Sequence, residues 1–420
     1  MLGRKLSTVH GLPVEILSPG IHNRDAGPDF LGAHLRIGPQ EWFGNVEIHV
    51  KASDWTRHGH DSNPAYENVI LHVVAVDDAR IHRSDGSEYE QTVVTFPESF
   101  FTMYARLADK VASIPCAESL SSLPPLVISD WIESLSVERM QMKAERVLTV
   151  NGQLNGDWEQ TAFAMLARSL GFGLNSDPFE MLARSIPLKT LWHHADNSMQ
   201  VEALLFGQAG MLDMSLNIFN EYYQTLCREY YFLSRKYSLR PLSGSIWKYA
   251  RTRPNNFPHR RIAMLATHCC SQKRLTAELL DNSRDPEAIA QLFTWQLSHY
   301  WDEHNDFTTD ASRIPSGLSR GSINLLMINF VAPMLYAYGA ATDNPDLAAR
   351  GLDIWESLPA ENNTFIRQWS VAGIPSNTAA HSQALLQLRR QYCDANRCLD
   401  CRFGHALLRS QIKPLLHQFN

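Results

Sequence analysis

Glu47, His49 and Lys51 occupy every second position of the run NVEIHVK. Side chains alternate across a β-strand, so a strand here sends these three to one face and Val46, Ile48 and Val50 to the other. An edge strand with one solvated face would show the same alternation. Two neighbours give the polar face a chemical reading. Asp29 opens the preceding strand-like run behind Pro28, where its carboxylate could reach the face of Glu47, and His72 interrupts the apolar run NVILHVV. Two carboxylates on adjacent strands can hold a hard divalent cation such as magnesium or manganese, while a nearby lysine orients water or stabilises a developing oxyanion. Asp29 and Glu47 are thus candidate metal ligands, His49 a third, and Lys51 the candidate electrostatic group of a phosphodiester hydrolase. The adjoining loop SDWTRHGHDSNPAY adds Asp54, His58, His60 and Asp61. Imidazoles two positions apart can converge on zinc or manganese, which gives a competing chemistry: a zinc-dependent hydrolase using His49, His58, His60 and His72.

A second constellation lies near the C-terminus. Cys393, Cys398 and Cys401 form C-x4-C-x2-C, followed by His405. Spacings this short can bring thiolates to one centre, so the segment 390–408 is expected to form a metal knot holding zinc or an iron–sulfur cluster. The fourth ligand is either His405, closing a Cys3His zinc site, or the distant Cys116, closing a four-cysteine site. Arg390, Arg397, Arg402 and Arg409 flank the knot, and cationic neighbours favour thiolate. Cys227, Cys269 and Cys270 look like core positions. An odd number of cysteines, seven, fits a cytoplasmic chain better than a disulfide scaffold.

The elements that must position these residues change character along the chain. The first hundred residues hold period-two runs between turn signals: PVEIL, DFLGAHLRI, NVEIHVK, NVILHVVAV, ARIH and QTVVTF. From about Leu126 the period becomes helical, with Ser129 and Asp157 as expected N-caps. The Ser- and Pro-rich SLSSLPPL marks a boundary. These patterns predict an α+β chain: a β-rich domain over 1–118 and a helical domain over 119–420. A chain of 420 residues is long enough for two or three cores, and 44% hydrophobic with 20% charged residues is a globular composition. The N-terminus has no continuous apolar stretch of a secretory signal. The longest apolar run, Leu325–Ala340, contains Asn329 and Pro333 and is expected to be a buried core helix, so no membrane partner is expected.

A net charge of −6 argues against wholesale coating of DNA or RNA but permits local basic patches. Arg139, Lys143 and Arg146 share one helical face, either to meet phosphates or as a solvated face paired with Glu138 and Glu145. The segment Lys248–Arg261 combines cations with Tyr249 and Phe257, which could stack on bases.

The succession of a strand opening in Pro-Asp and a strand bearing Glu-x-(Lys) resembles the core of the PD-(D/E)-x-K nuclease superfamily. Asp29 matches the aspartate and Glu47 the second acid, but His49 stands in the lysine's place and Lys51 lies one pleat further on. The helix that precedes the first core strand in that superfamily has almost no room. Nucleases of the helicase-linked and CRISPR-associated kinds, which join such a core to an iron–sulfur cluster, are similar in keeping three cysteines near the C-terminus and one far upstream. The segments GIHNRDAGPDF, GNVEIHVKASDW, HGHDSNPAYENVILHVV, ALLFGQAGML, RPNNFP and YCDANRCLDCRFG resemble the bacterial family known as domain of unknown function 2851 over nearly the whole chain. The nuclease resemblance implies metal-dependent cleavage of DNA or RNA. The alternatives are a catalytically inactive nucleic-acid-binding or scaffold protein, and the zinc hydrolase above.

Overall fold

A computed structural model describes residues 6–23, 25–108, 114–215, 218, 220–250, 256–309 and 317–417. The chain divides into two compact units. One holds the residues up to Leu123 together with the segment from Asn396, and the other runs Pro124–Ala395.

The first unit is built on a seven-stranded sheet. Its strands are β1 (Leu6–Ser7), β2 (Pro13–Ser18), β3 (Ile21–His22), β4 (Phe30–Ile37), β5 (Gln40–Lys51), β6 (Val69–Val76) and β7 (Gln91–Val93). The order is β1-β2-β4-β5-β6-β7, with β3 added beside β4. β4 and β5 form an antiparallel hairpin in which Ile37 faces Gln40 across a turn containing Gly38 at φ +58°, a left-handed backbone that glycine adopts without a Cβ clash. β5 then pairs parallel to β6, and β6 parallel to β7. A parallel pair needs a crossover connection. The one between β5 and β6 consists of α1 (Asp54–Arg57) and two short 3-10 turns, His60–Ser62 and Pro64–Tyr66, folded over the end of β5. Val14, Leu35, Ile37, Val46 and Leu71 belong to one core of this unit, and Trp55, Tyr66, Val69, Ile81 and Tyr89 form a smaller one beneath the crossover. The run ARIH is not a ladder strand, since His82 makes only an isolated bridge to Glu88.

The second unit is helical. It opens with α2 (Pro125–Gln153), which starts four residues before Ser129 because Pro125 fits the first helical turn, where its missing N–H costs nothing. Ser129 instead bonds back to the Leu126 carbonyl. Asp157 does cap the next helix, α3 (Trp158–Leu170), accepting from Gln160 N at 3.0 Å. Phe163, Leu166, Phe206, Leu265, Phe330 and Trp355 lie in its large core. The helical stretch Arg320–Ala341 is long and apolar enough to cross a membrane by length and composition, but 67% of its apolar window is buried within the protein. A π-helical turn at Met327–Val331 precedes Pro333, which has no N–H to continue a regular ladder.

The α+β architecture is present, but the cysteine knot is not. Among the described residues, the only group of three or more His, Cys, Asp or Glu ligand atoms within metal-binding reach is a set of histidines. Cys393 ends the π-helical turn Leu388–Cys393 in the helical unit, whereas Cys398 and Cys401 belong to the first. The Cys398 thiol donates to the Leu107 carbonyl at 3.2 Å, and His405 is exposed on the helix Arg402–His417. Burial, helped by the proximity of Cys401 and Cys398, pushes the Cys116 thiol up to about 12. Of the flanking arginines, Arg397 pairs with Asp400 at 3.0 Å, and burial raises the Cys398 thiol as well. The zinc or iron–sulfur centre expected from Cys116, Cys393, Cys398, Cys401 and His405 is therefore not formed.

Candidate functional site

The alternation along β5 holds, but its burial is inverted at the end of the strand. Glu47 and His49 are 5% and 9% exposed, whereas Ile48 and Val50 are 40% and 68% exposed. Burying a carboxylate and an imidazole in preference to two aliphatic side chains costs stability unless the polar groups find partners. They do. Glu47 Oε2 accepts from Asp29 N at 3.0 Å and Asp29 Oδ2 accepts from Ile48 N at 2.9 Å, a crossed pair of hydrogen bonds that ties the start of β4 to β5. The loop before Asp29 is set by Asn23, whose side chain donates to the Pro28 carbonyl and whose N–H donates to the Asp29 carbonyl.

The remaining oxygen, Glu47 Oε1, lies 3.5 Å from His49 Nε2 and 3.4 Å from His60 Nε2. His49 Nε2 lies 3.2 Å from His58 Nδ1. One nitrogen from each of His49, His58 and His60 falls within 4.8 Å of the others. A tetrahedral ion with metal–nitrogen bonds of about 2.0–2.1 Å requires ligand atoms about 3.3–3.4 Å apart. The three imidazoles thus match the donor type and approximate spacing of a divalent transition-metal site, with Glu47 on the edge between His49 and His60.

The crossover explains how two histidines two positions apart can both turn inward. Gly59 between them adopts φ +73°, reversing the chain. Asp54, buried, accepts from Lys51 N at 3.1 Å and pairs with Arg57 at 2.8 Å, which pins α1 over the strand end. Trp55 is fully buried and lies edge-on to His60 and His72 at 5.5 and 5.1 Å, while Tyr66 stacks on His60 at 3.8 Å.

Beneath the cluster runs a chain of hydrogen bonds with one consistent polarity. His49 Nδ1 and His72 Nε2 are 2.9 Å apart, His72 Nδ1 and Gln91 Oε1 are 3.1 Å apart, and Gln91 Nε2 donates to Asp77 at 2.6 Å. Gln91 donates outward through its amide, so its carbonyl must accept from His72 Nδ1–H. That leaves His72 Nε2 to accept from His49 Nδ1–H, and His49 Nε2 bears the free lone pair facing the cluster. His72 thus has both ring nitrogens engaged and is placed to orient His49.

Electrostatics favour the ligating forms of the imidazoles. Burial, then His60 and His58, lowers His49 to about 4; burial, then His49, lowers His72 to about 4; and burial with His58 lowers His60. Neutral imidazole is the form that binds a metal. Burial and the Asp29 carboxylate push Glu47 up to about 7.

The structure thus brings together Asp29, Glu47, His49, His58 and His60. Lys51 is exposed and close to Asp78, whose carboxylate is held low by Ser53 first and by Lys51 more weakly. With His49 in the lysine position, the PD-(D/E)-x-K pattern is not completed. In place of the oxygen-lined magnesium or manganese site expected on Asp29 and Glu47, the group of ligand atoms that converges among the described residues is the nitrogen set of His49, His58 and His60. Gln91, Asp77 and Tyr66 escaped the sequence analysis. The parallel register that sets His72 opposite Gln91 joins residues on separate strands and leaves no local pattern.

Searches of curated proteins and of solved structures found no match. A family model matches residues 2–364, most of the chain. The chain belongs to the family described as protein of unknown function, DUF2851.

Proposed function

We propose that the protein is a metal-dependent hydrolase whose centre is a divalent transition ion of the zinc class held by His49, His58 and His60. The observation that carries this reading is the convergence of the three imidazole nitrogens within 4.8 Å, with Glu47 Oε1 at 3.4–3.5 Å from two of them. These three nitrogens would hold the ion, and an ion held by three protein ligands would supply Lewis-acid activation of water, as in catalytic rather than structural zinc sites. Glu47 Oε1, beside His49 and His60, would serve as the general base, and the hydrogen bond from Asp29 N to Oε2 fixes the carboxylate's orientation. Asp29 has a positioning role, and Lys51 none.

The substrate class is a phosphodiester of DNA or RNA. What supports this is the succession of Pro28-Asp29 at the start of β4, Glu47 on β5 and the parallel strand β6 beside it, an order similar to that of metal-dependent nucleases. Protein stripped with chelator and reloaded with zinc or cobalt should hydrolyse bis(p-nitrophenyl) phosphate and oligonucleotides, and Glu47→Gln and His58→Ala should lose that activity. Salt-sensitive nucleic-acid binding without turnover, or equal background rates in wild type and Glu47→Gln, would refute hydrolysis.

A further inference from the structure

The helical unit contains a cavity of about 540 Å3 that the metal site does not use. Five cations line it: Arg139, Lys143, Arg146, Arg168 and Arg390. Two of them are already paired with two carboxylates: Arg146 with Glu180 at 2.6 Å, and Arg168 with Asp177 at 2.5 Å and Glu180 at 2.9 Å. The other three face one lining carboxylate, Glu361. Arg139 is 6% exposed, yet its guanidinium bonds only to neutral amides, Gln383 Oε1 at 3.1 Å and Gln387 Oε1 at 3.4 Å. Lys143 Nζ likewise donates to an amide, Asn329 Oδ1, at 2.7 Å. Glu138, the expected helical partner of this face, turns away to Gln387 and Tyr392. A buried guanidinium without a carboxylate is costly, and burial also pushes the Lys143 amine down to about 7. A bound anion would offset both.

We propose that this cavity binds an organic phosphate monoester, with its phosphate on Arg139, Lys143 and Arg390 and its organic body against Met165, Phe172, Phe330 and Leu386. A bound anion holds the Lys143 amine protonated, and three cations less one carboxylate then leave an excess of two positive charges, matching the charge of about −1.5 to −2 that a phosphate monoester bears at neutral pH. The volume lies within the range of about 300–1,000 Å3 typical of small-molecule sites, and the apolar wall has no use for a bare inorganic ion. This site stands apart from the hydrolase reading and does not depend on it.

Calorimetric titration of the full chain tests it, with adenosine 5′-monophosphate as the probe and adenosine and inorganic phosphate as comparisons. The nucleotide should bind more tightly than phosphate, and adenosine should bind at least roughly tenfold more weakly than the nucleotide. Lys143→Met and Arg390→Ala should each weaken nucleotide binding by about tenfold or more with unchanged melting temperature, and Lys143→Arg should restore most of it. Competition by a 5′-phosphorylated oligonucleotide, but not by its 5′-hydroxyl counterpart, would support the same chemistry at a nucleic-acid end. Equal binding of nucleotide and adenosine, full binding by both Lys143→Met and Arg390→Ala, or equal competition by the 5′-hydroxyl oligonucleotide would overturn the assignment.

Discussion

His49 is the residue on which the site turns, because each of its ring nitrogens has a separate task. Nε2 faces Glu47 and His58, while Nδ1 is fixed by His72 and, through it, by Gln91. Removing a group that orients a metal ligand typically costs 10–100-fold in metal affinity. Gln91→Leu, which leaves every ligand in place, should therefore weaken zinc binding by about 10–100-fold in a competition titration; an unchanged constant would show that the chain below His49 does not orient it. Glu47 supplies a pH signature. Its carboxyl is pushed up to about 7 by burial and then Asp29, so it is ionised above that pH and protonated below it. Hydrolysis that uses Glu47 as base should rise with pH along a limb at or below about 7, since a bound cation favours the carboxylate, and Glu47→Asp should shift the limb. A rate independent of pH from 5 to 8 would deny Glu47 that role.

At the scale of elements, the crossover between β5 and β6 does the positioning. Gly59 is its hinge: φ +73° is open to glycine, while an L residue held there loses about 1–2 kcal/mol. No neighbouring atom would meet an added Cβ, so Gly59→Ala tests the backbone alone. It should weaken zinc binding by about 5–30-fold while leaving the sheet's circular dichroism intact. The polar face of β5 was legible from the period of Glu47, His49 and Lys51, and the proximity of Asp29 from its place at the head of β4. Lys51 was misplaced because period two assigns a face but not a destination: Asp54 takes its backbone N–H, and its side chain lies near Asp78. The cysteine spacing misled for a related reason. C-x4-C-x2-C permits convergence without requiring it: a π-helical turn ends at Cys393 and a helix starts at Arg402, and among the described residues no cysteine joins a group of three converging ligand atoms.

For the whole molecule, the change from period two to helical period near Leu126 located the two kinds of structure, with the sheet in one unit and the long helices from Pro125 in the other. That the segment from Asn396 belongs with the sheet unit could not be read from sequence, because a return contact leaves no local periodicity. The helical unit has its own pH response. Burial lowers His259 and His268 to about 4. Unfolded imidazoles titrate near 6.5, so the unfolded chain holds more protons between these values. Stability from these groups is complete above about pH 6.5 and is lost as pH falls through about 4; urea midpoints at pH 7.5, 6 and 5 should decline, and His268→Gln should flatten the decline.

Zinc should act on the sheet unit, adding about 2.7 kcal/mol of stability at a concentration 100 times the dissociation constant. The most direct test of the metal centre is the zinc content of the purified chain after equilibration and desalting, measured by mass spectrometry beside His58→Ala/His60→Ala. One ion per wild-type chain and none in the double variant is the expected result. Equal zinc in the two proteins, or none in either, would contradict a centre at His49, His58 and His60.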